Sequence, residues 1–157
     1  MAPTSTGNWF EDFVPGDRWR HERGTTVGEV EGQLLTKLVM NTAQAHFNEH
    51  LMAGSPMGDG RMVFGLVTGS IIVGLATQDT AEQALAEVGL DDVRFTAPVH
   101  HGDTLYAYTE VVATEPAERD DAGIVRFRHW DANQHGAVVF EAERTVLVKR
   151  RSYWATR

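Results

Sequence analysis

Residues 62–76 form an uncharged apolar run interrupted by three glycines, at 65, 69 and 74. The run is shorter than the roughly 18 apolar residues that a membrane-spanning helix requires. It reads instead as a buried helix, apolar all round in its first half. Good helix formers in Thr80-Ala81-Glu82-Gln83 carry the predicted helix on to residue 87 as an amphipathic second half. A helix that leaves out side chains at regular intervals accepts close neighbours along its length, as when a sheet curls around it.

The rest of the pattern supplies such a sheet. From Asp91 the hydrophobic period changes to two: Val93, Phe95, Ala97 and Val99 alternate with Arg94, Thr96 and Pro98, and His101-Gly102-Asp103 turns the chain into Leu105, Ala107, Thr109 and Val111. A charged loop over 115–123, a strand over 124–130, a hairpin turn at Asn133-Gln134-His135-Gly136 and a strand over 138–149 follow. Before the long helix, an apolar opening (Trp9, Phe10, Phe13, Val14) ends at Pro15-Gly16-Asp17, which delivers the chain into a strand over 18–25. Thr26 with Glu29 has the form of a capping box, and Val30, Leu34 and Leu38 then mark a helix of about three turns ending near Asn41. Residues 42–52 are short, polar and histidine-bearing, and 53–61 form a glycine-rich loop. The order predicts an α+β architecture, an antiparallel sheet wrapped around one long helix. At 157 residues the chain suits one domain over 1–157 with one core.

Charge and composition narrow the function. A net charge of -8 opposes general binding to nucleic acid or anionic membrane, although a local basic patch is compatible with it. Without cysteine there are no disulfides, thiolate metal sites or cysteine nucleophiles. Residues 1–8 lack a charged-then-apolar signal pattern, so a soluble cytoplasmic protein is expected.

Seven histidines are present, at 21, 46, 50, 100, 101, 129 and 135. His46 and His50 have the spacing of a helical zinc pair, but Phe47 stands where that site needs a glutamate, so no metal is expected. No Gly-x-Ser-x-Gly elbow exists, and Gly69-Ser70 lies inside the apolar helix. His46 is set apart by its neighbours. It follows one helix and precedes another, whose start at Phe64-Gly65 can point free N–H groups at a carbonyl oxygen. An acid/base beside an oxyanion site is what enolate chemistry on a thioester requires.

Three blocks resemble the MaoC-like hot-dog family, which includes the R-specific enoyl-CoA hydratases. Asn41-Thr42-Ala43-Gln44-Ala45-His46-Phe47-Asn48 stands in place of the hydratase pattern D-x-N-P-x-H. Phe64-Gly65-Leu66-Val67-Thr68 stands where the family has a His-Gly-Met/Leu helix start. Val93-Arg94-Phe95-Thr96-Ala97-Pro98-Val99 followed by Gly102-Asp103-Thr104-Leu105 is similar to a strand and turn typical of the family. The resemblance implies a hot-dog fold and a hydro-lyase acting on a short enoyl or 3-hydroxyacyl thioester of coenzyme A or a carrier protein, with no metal or redox cofactor. In it His46 matches the catalytic histidine, Asn41 the catalytic aspartate, and Gly65 the glycine whose N–H binds the thioester oxygen. Phe64 replaces the histidine before that glycine, and Ala43-Gln44 replace Asn-Pro.

Asparagine orients water but does not accept its proton, so His46 takes most of the acid/base work, with Glu49 as a possible helper. Met40-Asn41-Thr42 followed by His46-Phe47 resembles the branch around mesaconyl-CoA hydratase, also called β-methylmalyl-CoA dehydratase. There the substrate carries a free carboxylate, for which Arg61, and next Arg94, is the candidate partner. Lys149-Arg150-Arg151 offers charge for coenzyme A phosphates. The family's site lies at a subunit contact, which implies a homodimer or a larger assembly of dimers. Two other readings stay open: a hot-dog thioesterase, and a silent acyl-thioester-binding protein.

Overall fold

A computed structural model describes residues 7–58 and 60–156. Residues 1–6 of the N-terminal stretch read above as lacking a signal lie outside them. The chain runs through β1 (Arg18–Thr26), α1 (Glu29–Leu38), a 3-10 turn (Gln44–His46), α2 (Glu49–Met52) and α3 (Gly65–Thr80). Then come β2 (Ala84–Phe95), β3 (Thr104–Pro116), β4 (Ala122–Asn133), β5 (Phe140–Lys149) and a short α4 (Arg151–Trp154). All strand pairings are antiparallel, in the order β1-β3-β4-β5-β2, and α3 touches β1, β3, β4 and β5. The expected wrapped helix is thus what forms. No helix among the described residues is long and apolar enough to cross a membrane.

Period-two patterning decides the core. Leu105, Ala107 and Val111 of β3, Val125 and Phe127 of β4, and Ala142, Val146 and Val148 of β5 are buried, as are Ile72 and Ala76 of α3. Each large side chain among them contributes about 1.5–3 kcal/mol through removal from water. Two of the three helix glycines meet rings, where close backbones were expected. A Cβ at Gly65 would lie 2.9 Å from Phe95 Cδ1, and one at Gly69 would lie 2.8 Å from Phe140 Cε2. Gly74 meets nothing within 4 Å and borders an open groove.

Several boundaries differ from expectation. The long helix ends at Thr80, and residues from Ala84 are strand. Pairing with β5 (Ala84↔Val148, Glu87↔Val146, Leu90↔Arg144) satisfies their backbone and overrides helix propensity. The cap of α1 is Gly28, whose N–H donates to Glu31 at 2.9 Å, while the Thr26 hydroxyl meets Thr104 at 2.7 Å. The apolar repeat of α1 faces outward: Val30, Leu34 and Leu38 are 81, 53 and 68% exposed, and the buried positions are Gly32 and Thr36. The basic C-terminal run is occupied locally, Arg150 over the Phe10 ring at 4.4 Å and Arg151 on Asp12.

Polar groups also run through the interior. His21 Nδ1 meets Asp79 Oδ2 at 2.6 Å, His21 Nε2 meets the Thr109 hydroxyl at 2.6 Å, and that hydroxyl meets His129 Nδ1 at 2.8 Å. All four residues are buried, so the two strand histidines, expected to be surface or structural, are structural.

Candidate active site

Residues 41–58 and 60–63 belong to a strap that lays His46 against the start of α3. Met40 takes a left-handed turn, φ 60°, after which the Asn41 N–H donates to Thr36 O at 3.1 Å and Asn41 Oδ1 accepts from Ala43 N–H at 2.8 Å. This side-chain turn sets up the 3-10 turn that carries His46. The strap closes at Met62, whose N–H donates to Ala45 O at 3.1 Å and whose residue bridges His100, with Val63 N–H bonded to Val99 O at 2.8 Å.

His46 is half-buried, its ring 5.4 Å from Phe64 and 6.4 Å from Phe47. Its Nδ1 lies 2.9 Å from Met62 O. A carbonyl oxygen only accepts, so Nδ1 carries the hydrogen, and in the neutral ring Nε2 is the basic atom. His46 lines a cavity of about 660 Å³ with Met57, Phe64, Gly65, Thr68 and Phe95. Gly65 is the first residue of α3, where N–H groups have no intrahelical acceptor and the helix dipole favours negative charge. A base and an oxyanion donor therefore face one cavity.

The other predicted residues are placed differently. Asn41 lies outside the cavity wall, with Oδ1 committed to the turn. Arg61 is held by Glu29 Oε1 at 2.5 Å and Glu49 Oε2 at 2.6 Å, so its charge is compensated twice and Glu49 faces Arg61. The Glu49 bond and then the Glu29 bond raise the already high guanidinium pKa. Arg94 is exposed on β2, 3.6 Å from Glu141, and outside the cavity wall, although its neighbour Phe95 lines it. Thr68, Phe95 and Met57 were not singled out from sequence. Thr68 is one of two hydroxyl residues, with Ser70, in an otherwise apolar run.

A second depression, a groove of about 1050 Å³, lies between α1, α3 and β2, lined by Leu35, Val39, Leu66, Val88 and Leu90 among others. Phe64 is common to its wall and that of the His46 cavity.

Comparison with known proteins bears on the family and the fold. Residues 4–150 match the family model described as mesaconyl-CoA hydratase. The chain is 36% identical over 155 residues to the mesaconyl-CoA hydratase of Haloarcula marismortui, covering 92% of this chain and 42% of that protein. It is 29% identical over 170 residues to the beta-methylmalyl-CoA dehydratase of Chloroflexus aurantiacus, covering 96% and 47%. The chain thus spans less than half the length of these curated relatives. In fold it is similar to a Mycobacterium tuberculosis protein with a double hot-dog fold, at TM-score 0.81 and 22% identity, covering 94% of this chain and 46% of that one.

Proposed function

The chain belongs to the mesaconyl-CoA hydratase family and has a hot-dog fold, and from that premise we propose that it is a hydro-lyase for a short enoyl or 3-hydroxyacyl thioester of coenzyme A, one bearing a second carboxylate as mesaconyl-CoA does. The observation that carries the reading is the His46 ring, fixed through Nδ1 on Met62 O beside the N-terminus of α3 in one cavity.

In the hydration direction, His46 Nε2 takes a proton from water as the water oxygen bonds to the β-carbon of the enoyl group. The double-bond electrons move toward the thioester oxygen, where the Gly65 N–H meets the developing charge. The imidazolium then returns the proton to the α-carbon, and the neutral ring is restored. No metal or redox group is called on in this sequence. Asn41 acts through the turn it builds, holding His46 in place, since its Oδ1 is engaged with Ala43 N–H.

The functional unit we propose is a pair of hot-dog domains, formed by a second copy of this chain seated on the groove. Exposed Leu35, Val39, Leu66, Val88 and Leu90 support this, at 42, 61, 55, 56 and 48% exposure, as does the doubled length of the relatives.

Enoyl-thioester absorbance followed with crotonyl-CoA and mesaconyl-CoA tests the reaction. His46→Ala is expected to lower the rate by about 10²–10⁴. Consumption of neither thioester, or an unimpaired His46→Ala, would defeat the reading.

A further inference from the structure

Among the described residues that wall the His46 cavity, three carry hydrogen-bonding side chains: His46, Thr68 and Thr96. The Thr96 hydroxyl is occupied, donating to Val138 O at 2.7 Å. The Thr68 hydroxyl is not: among the described residues its oxygen is buried without a hydrogen-bond partner, in a side chain belonging to a residue only 2% exposed.

Its helix shows how unusual that is. α3 holds four hydroxyl residues, and the other three bond back to the carbonyl four residues earlier, Ser70 to Leu66, Thr77 to Val73 and Thr80 to Ala76, each at 2.7 Å. The equivalent acceptor for Thr68, Phe64 O, already takes the N–H groups of Val67 at 2.9 Å and Thr68 at 3.1 Å. A buried hydroxyl with no partner is a cost that native interiors seldom carry without a use for it. Residues three apart share a helix face, and helix side chains lean toward the N-terminus. Thr68 therefore hangs toward Gly65, which has no side chain of its own.

We propose that the Thr68 hydroxyl is a catalytic hydrogen-bond donor to the thioester oxygen of the substrate, paired with the Gly65 N–H. This rests on the hydratase reading above and assigns that site a second donor from a side chain. No covalent step passes through Thr68: the hydroxyl keeps its proton throughout and shares it with the oxygen as the enolate charge forms.

The test compares wild type, Thr68→Val and Thr68→Ser for kcat and KM on crotonyl-CoA and mesaconyl-CoA, and for thermal midpoint. Valine has nearly the same shape and removes the unpaired hydroxyl, so the fold should be kept and the midpoint unchanged or raised. The expected result is a kcat lowered on the order of a hundredfold in Thr68→Val, with KM little changed, and recovery in Thr68→Ser to within a few-fold of wild type. Should wild type be active and Thr68→Val equally so, the Thr68 role alone is overturned. Should Thr68→Ser be as impaired as Thr68→Val, packing rather than the hydroxyl is responsible, and the role is again overturned. A wild type inert toward both thioesters overturns the hydratase reading, and this role with it.

Discussion

Replacing His129 with leucine should flatten the acid side of this protein's stability curve. His129 has 0% exposure, and its ring stacks on Phe127 at a centroid distance of 5.8 Å and an interplanar angle of 22°. An ionised carboxylate only accepts, so the His21 Nδ1–H donates to Asp79, His21 Nε2 accepts from the Thr109 hydroxyl, and Thr109 accepts from the His129 Nδ1–H. His129 Nε2 is left as a lone pair with no partner, so a proton placed there would be buried bare. Burial, followed by the nearby charge of Arg144 and then by repulsion from His21 whenever that ring is also protonated, lowers the His129 pKa from 6.5 to about 3.

Between those two values the unfolded chain holds a proton on this residue that the folded chain refuses. The stability contributed by the neutral ring is therefore whole above pH 6.5 and is lost as pH falls toward about 3, at about 1.4 kcal/mol per pH unit. Over two pH units below 6.5 the loss is about 3 kcal/mol, a large share of the ~5–15 kcal/mol of a small domain. Burial lowers the His21 pKa in the same sense, against the opposing pull of Asp79, so part of the acid loss persists without His129. The assay is urea unfolding of wild type and His129→Leu at one protein concentration, at about pH 7.5 and about pH 4.5. The variant should lose about 2–3 kcal/mol less than wild type between the two pH values, whatever its stability at the higher one. Equal losses in the two proteins would refute the account.

Substitutions at three other positions follow from the site and its helix. Gly69→Ala drives a methyl group to 2.8 Å from the buried Phe140 ring, and thermal melts should show a net destabilisation of about 1–2 kcal/mol after the gain in helix propensity. Gly74→Ala meets nothing within 4 Å and should instead stabilise by about 1 kcal/mol. Asn41→Asp keeps an oxygen to accept from Ala43 N–H and should retain most hydration activity. Asn41→Leu removes it and should lower kcat about tenfold through a displaced His46, with CD spectra confirming an intact fold.

The strands were legible because burial on one face writes a period of two into the sequence, as in the alternating buried and half-buried residues of β5. The start of β2 was not, because Ala84 to Leu90 becomes strand only through pairing with β5, which no local pattern records. The repeat in α1 was readable as a helix, but not its direction: the helix seats Gly32 against the His101 ring, where a Cβ would lie 2.7 Å from His101 Cε1, and turns its larger apolar residues outward. His46 and Gly65 were found through their resemblance to a family motif, and the cavity they share puts them together. Thr68 stayed hidden because a threonine in an apolar helix normally satisfies itself by bonding back, as Thr77 and Thr80 do.

Asparagine at position 41 is easier to understand once the Met62 carbonyl is considered. In a site where a carboxylate serves a histidine, one of its tasks is to fix which ring nitrogen holds the proton. Here a backbone carbonyl does so, and that carbonyl is itself fixed by the Met62 N–H bond to Ala45 O and the bridge to His100. Asparagine where the family has aspartate therefore leaves the His46 tautomer intact. The cation balance is less forgiving. Arg61 is compensated by two carboxylates, and among the described residues the cavity wall has no arginine or lysine. A dicarboxylic acyl group of the proposed kind thus finds no unpaired cation among the described residues of that wall. In the proposed pair the second copy would have to supply that cation, while the proposed acid/base and oxyanion groups, His46 and Gly65, lie in the wall of one chain.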